Sequence, residues 1–340
     1  MKYILVWTNI YGIEEEGQKY FISKNCKHIN CYITKNDSLF NDVRYFDAIL
    51  FDGQDVSRDI IALPQLRSTM QKYIFVAKES SDNFPVCNKI YDNFFNWTWT
   101  YRYDSTISYH FITVFNYQYI ELGNRFLWES YMKPIDKTLK SQFVTKSKAA
   151  VIFLDKCKSR SKREDVIEKL KGYLSKYNLT IDIFGPCSDK KCKRKNMKPC
   201  LWRLKKTYYF YLAFEDSISL DYITDIVLYA YNNNAIPIVY GGAQYDKYLP
   251  PRSYLNARNK TLKSLAHTMH KIISNQEMYY DFFRWKNYYT LAKSPILDGC
   301  VLCEALNHQD RLTARVVYSK FRKWWNHLYE KRCLEHSVDI

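Results

Sequence analysis

The chain has 340 residues, with 51 basic against 35 acidic side chains and a formal charge of +16 at pH 7. At 47% hydrophobic and 17% aromatic content, disorder is excluded and two domains can each bury a core. The positive surplus favours an anionic partner (nucleotide-sugar, membrane lipid or nucleic acid) without choosing among them, and a solvated lysine-rich surface is its commoner origin.

No run approaches the roughly 18 apolar residues of a membrane span. The opening, MKYILVWTNIYGIEEE, has too short an apolar run for a signal peptide and reads as a first core strand. Residues 2–8, 45–52 and 73–77 predict buried strands separated by helical or loop segments, the alternation of an α/β domain with a parallel sheet. Glu79 follows the third strand, where a carboxylate faces the mouth of the sheet, although an ordinary loop glutamate fits that position as well. Residues 130–149, lysine-rich and poor in apolar side chains, are the best linker candidate. Strand 149–154 then opens a second α/β domain. Its following loop, from Asp155 through Lys156 to Arg163, is dense in positive charge and precedes a helix over 164–176, with a strand at 181–184. A basic loop between strand and helix suits a diphosphate, because arginine forks onto phosphate oxygens and helix starts offer N–H groups.

The centre of the chain is 208–242. Residues 208–214 predict a strand, followed by the turn Glu215-Asp216-Ser217. Ile223, Ile226, Val227 and Ala230 then share one helical face, with Ser219 or Asp221 as cap, before a strand at 235–240. Helices are expected at 262–273 and 277–285. The tail, 312–333, is basic and aromatic: a final packed helix, or a membrane or nucleic-acid contact. Ten cysteines include the group Cys187, Cys192, Cys200 and the pair Cys300, Cys303. A lone C-x-x-C is weak evidence for zinc. Acceptor tripeptides for N-glycosylation stand at Asn36, Asn96, Asn178 and Asn259.

The letters go further than the periodicity. Tyr211, Leu212, Ala213, Phe214, Glu215, Ser217, Asp221, Tyr222, Ile223, Thr224, Pro237, Val239 and Gly241 match a signature running roughly F-Y-L-A-F-E-N-S, D-Y-I-T-E-K, helix, V-P-V-V-G. The chain thus resembles the α-1,3-fucosyltransferases (glycosyltransferase family 10) as a divergent member. The likeness runs from Ile4 to Cys303 and includes the run Phe95 to Ser105. Asp216, Asp225 and Ile226 stand where the pattern has Asn, Glu and Lys; Asp155 and Lys156 replace its Ser-Asn.

The resemblance implies a GT-B-like α/β fold: two facing Rossmann-like domains with parallel sheets, plus C-terminal helices. The expected bounds are 1–143 for the acceptor domain, 147–308 for the GDP-fucose domain and 309–340 for a helical tail. It implies inverting transfer of fucose from GDP-fucose to a GlcNAc-containing glycan, N-linked or other, with no metal and no cofactor beyond that donor. Glu79 becomes the base and Arg163 the diphosphate clamp, with Lys156, Tyr211, Asp216, Tyr222 and Asp225 around the donor. It also implies disulfides, a Golgi or secretory-lumen location, and an N-terminal anchor missing from this chain or removed. Nucleic acid is not an expected partner. The three departures open an alternative: a weakened or inactive pseudo-glycosyltransferase that binds glycan or protein.

Overall fold

The computed structural model describes the chain apart from residues 11, 14, 124, 125, 144, 193, 315 and 335–340. It divides into two compact units. One is Met1–His110 with Ser219–Asp221 and Pro295–Ile340; the other is Phe111–Ile218 with Tyr222–Ser294.

In the first unit, β1 (Lys2–Val6), β2 (Cys31–Thr34), β3 (Ala48–Asp52), β4 (Lys72–Ala77), β5 (Trp97–Thr100) and β6 (Ile107–Ser108) form a parallel sheet in the order β2-β1-β3-β4-β5-β6. Every residue of β3 and β4 is buried. Both faces of this sheet are covered, so these strands read as continuous apolar runs rather than alternations. Part of the cover comes from the C-terminal segment. Phe321 and Trp325 are fully buried, each ring 4.8 Å from that of Phe75. Arg322 forks onto Asp92. Three disulfides, Cys26–Cys300, Cys31–Cys303 and Cys87–Cys333, tie the same segment to the unit. The basic, aromatic tail is therefore core, and residues from 295 onward complete the first unit instead of extending the second. The last six residues of the expected tail lie outside the described residues.

In the second unit, β8 (Lys148–Phe153), β9 (Ile181–Phe184), β10 (Tyr208–Phe214), β11 (Ile236–Tyr240) and β12 (Leu255–Asn256) are parallel in the order β12-β11-β10-β8-β9. An antiparallel ribbon, β7 (Ile112–Asn116) with β13 (Tyr289–Lys293), belongs to it too. Phe210, Leu212 and Phe214 of β10 share one core with Leu170 and Leu174 of the helix Arg163–Leu174 and Leu265 and Met269 of the helix Leu262–Ser274. The turn after β9 needs Gly185: its φ is +134°, and an added Cβ would come within 2.0 Å of the Leu154 carbonyl oxygen.

Two local expectations fail. Residues 130–149 are not a free linker: Ile135 and Phe143 are in the core of the second unit, and the chain passes from one unit to the other after His110. Lysine-rich composition misled there, because Lys146 is itself buried, its Nζ donating to the carbonyls of Leu204 and Tyr208. The helix before β11 spans only Val227–Asn232 and has no side-chain cap. Asp221 sits at φ +60°, which no helix passes through, and the Thr224 N–H bonds to Glu215.

Candidate functional site

Strand order locates a site before any side chain is considered. In a doubly wound sheet a ligand sits outside the carboxyl ends of the strands where the order reverses. In the second unit the reversal falls between β8 and β10, so the relevant loops are 154–163 and 215–226.

Those loops are stitched together. Ser161 N–H donates to the Asp216 carbonyl at 2.9 Å and Ser161 Oγ to the Glu215 carbonyl at 2.7 Å. Arg163 is buried; Nη1 donates to the Phe214 carbonyl at 2.7 Å and Nη2 to Asp155 Oδ1 at 3.0 Å. Its Nε is buried without a hydrogen-bond partner among the described residues. Arg163 thus serves in this structure as a strut between the loops. The Cys157–Cys187 disulfide fixes the basic loop to the turn after β9. Lys156 Nζ meets Asp216 Oδ2 at 2.5 Å, with the lysine half-exposed. Sequence reasoning placed these residues on facing loops, and the structure pairs them.

Behind this edge lies Glu215, fully buried, whose carboxyl accepts from the N–H and hydroxyl of Thr224. Burial pushes its pKa up to about 8 despite those hydrogen bonds. Gly241 makes room for it: a Cβ there would lie 2.6 Å from the Tyr245 hydroxyl and 3.1 Å from Glu215 Cγ. Tyr211 is buried with its ring 5.4 Å from that of Phe153 and 5.8 Å from that of Tyr229. Tyr222 is buried too, edge-on to Phe111 at 6.0 Å. Asp225 Oδ2 pairs with Lys293 Nζ at 2.7 Å. Sequence reasoning put Glu215 in a polar turn and gave it no role; the signal it left was an acid directly after an apolar strand. Lys293, on a distant strand, left no signal in the sequence.

In the first unit, Glu79 follows β4 at the carboxyl edge of the sheet and is partly buried. The chain there is held firmly: Tyr109 donates to the Ala77 carbonyl, and Ser80, Ser81 and Asp82 are buried. Among the described residues no group of three or more His, Cys, Asp or Glu side chains could hold a metal. The C-x-x-C cysteines do not pair with each other; Cys300 and Cys303 reach Cys26 and Cys31, while Cys192 pairs with Cys200.

Residues 1–112 match the fucosyltransferase N-terminal family, and residues 143–324 match glycosyltransferase family 10 (fucosyltransferase), C-terminal. The chain belongs to glycosyltransferase family 10. As a family-10 fucosyltransferase it is a glycosyltransferase. It is 28% identical over 335 residues to α-(1,3)-fucosyltransferase C of Drosophila melanogaster, covering 95% of this chain and 77% of that one. It is 28% identical over 334 residues to human 4-galactosyl-N-acetylglucosaminide 3-α-L-fucosyltransferase 9, covering 95% and 82%. Among solved structures, an α1,3-fucosyltransferase with GDP-fucose superposes with a TM-score of 0.52 at 14% identity, covering 93% of this chain and 91% of that chain. The family and the α/β, GT-B-like fold read from the sequence are both borne out.

Proposed function

We propose that this family-10 chain is an inverting α-1,3-fucosyltransferase that moves fucose from GDP-fucose to a GlcNAc-containing glycan without a metal ion. The observation that carries the reading is the Lys156–Asp216 pair at the strand reversal of the second unit. The family pattern has a neutral Asn at 216. Here the added carboxylate arrives with its own lysine, which neutralises its charge at the strand reversal.

In this reading the first unit takes the acceptor and supplies Glu79, and the second takes the donor. The acceptor hydroxyl oxygen attacks fucose C1 while Glu79 accepts its proton. The bond from C1 to the β-phosphate oxygen breaks, and GDP leaves with the bonding electrons; attack from the opposite face inverts C1. Charge on the leaving diphosphate is met by Lys156 and the start of the helix Arg163–Leu174. Arg163 holds both loops, and the buried rings of Tyr211 and Tyr222 support the donor site from behind. Five disulfides support folding in an oxidising secretory compartment, the Golgi lumen by family.

Calorimetry with GDP and GDP-fucose tests the donor, and labelled GDP-fucose with core N-glycan or N-acetyllactosamine acceptors, with and without chelator, tests transfer. No binding at millimolar ligand sinks the proposal. Glu79→Gln is expected to lower kcat by about 10²–10⁴-fold while leaving GDP affinity unchanged; equal activity in both forms removes Glu79 as base.

A further inference from the structure

We propose that Lys293 supplies the donor diphosphate with the positive charge that the family pattern carries at position 226, where this chain has Ile226. The inference rests on the GDP-fucose reading above and assigns one more residue to that site.

Three observations converge on it. Lys293 Nζ lies 2.7 Å from Asp225 Oδ2, on the carboxylate that directly precedes Ile226. The lysine side chain remains 62% exposed against 27% for Asp225, and an ammonium carries three donors, more than that one pair uses. The approach is also built. Lys293 ends β13, in register with Ile112 of β7. The next residue, Ser294, donates its N–H to the Phe111 carbonyl at 3.1 Å and exchanges a 2.7 Å hydroxyl bond with Thr113. The Phe111 ring stands edge-on to Tyr222, in the same loop as Asp225. The ribbon therefore aims Lys293 at the loop that follows β10.

Charge balance supplies the third. The family pattern carries Ser and Asn at 155 and 156 and Asn, Glu and Lys at 216, 225 and 226, which sum to zero. This chain carries three acids, Asp155, Asp216 and Asp225, with an aliphatic residue at 226. Lys156 pairs with Asp216 and Lys293 with Asp225, which brings the sum to minus one. Without Lys293 the site is one unit more negative, the wrong direction for a diphosphate.

The test is calorimetric Kd for GDP at several salt concentrations in the full chain. The variants are Lys293→Ala, Lys293→Arg, and Lys293→Ala combined with Ile226→Lys. Lys293→Ala is expected to weaken GDP binding by about tenfold or more and to flatten its salt dependence. Lys293→Arg should keep most of the affinity, and lysine at 226 should restore the alanine variant to within about threefold. A lysine that merely braces the ribbon leaves the salt dependence of GDP binding unchanged in Lys293→Ala and is not rescued from 226; either result overturns the proposal. An unchanged Kd in Lys293→Ala also overturns it while the donor reading stands. If the wild-type chain binds no GDP, both fall together.

Discussion

Glu215 shows how much one buried carboxyl decides. Its pKa near 8 against an ordinary value of 4.5 means that the folded chain holds a proton the unfolded chain has released. The stabilisation is complete below pH 4.5 and is lost as pH rises toward 8, at up to about 1.4 kcal/mol per pH unit. Glu215→Gln removes this dependence while keeping an acceptor for Thr224. Thermal melts should show the variant gaining on the wild type between pH 4.5 and 8, with the difference level above that. A difference that is flat across this window contradicts a buried, protonated Glu215. Asn96 is a second case. Its Oδ1 accepts from Arg67 and from the Tyr73 N–H, and its Nδ2 donates to the Val316 carbonyl. A glycan there needs room at an Nδ2 already held against the Val316 carbonyl, whereas Asn36, Asn178 and Asn259 are exposed. Mass spectrometry of secreted protein should find Asn96 bare even if the other three carry glycan; a glycosylated Asn96 would contradict the bonding described.

At the scale of elements, the strands were the most legible part of the chain. The runs at 181–184 and 208–214 coincide with β9 and β10, and the other expected strands differ from the observed ones by a few residues at their ends. Period and composition report local burial, which is what a strand covered on both faces needs. The helix before β11 was overread. Ile223 and Ile226 are spaced for a helical face, but Thr224 is held by Glu215 and Asp221 turns left-handed, so the helix starts late. A helix can also be fastened from far away in the chain. The helix Gly299–Asn307 carries both C-x-x-C cysteines, which reach Cys26 and Cys31 beside the first strands. Replacing Cys26, Cys31, Cys300 and Cys303 together by serine releases that helix from the first strands and is expected to cost about 2–5 kcal/mol in a denaturation titration. Little or no loss would mean that packing of the helix suffices.

For the whole molecule, the first unit is discontinuous, and this sets what can be cut. Removing residues 295–340 takes Phe321 and Trp325 away from Phe75 and leaves Cys26, Cys31 and Cys87 without partners. Limited proteolysis of the shortened chain should digest residues 1–110 quickly and spare the second unit. Equal protection of both would show that the C-terminal segment is dispensable to the first unit. What the residues alone determined was the family, the two parallel sheets, and the loops at the carboxyl ends of β8 and β10, because all of these are written in contiguous letters and short periods. Tertiary structure decided which cysteines pair, that the tail closes the first unit, that Arg163 is a strut, and that Lys293 reaches Asp225. Each of those depends on where the chain returns after a long excursion, and return paths are chosen by packing and chain closure among distant segments, which local spacing does not record.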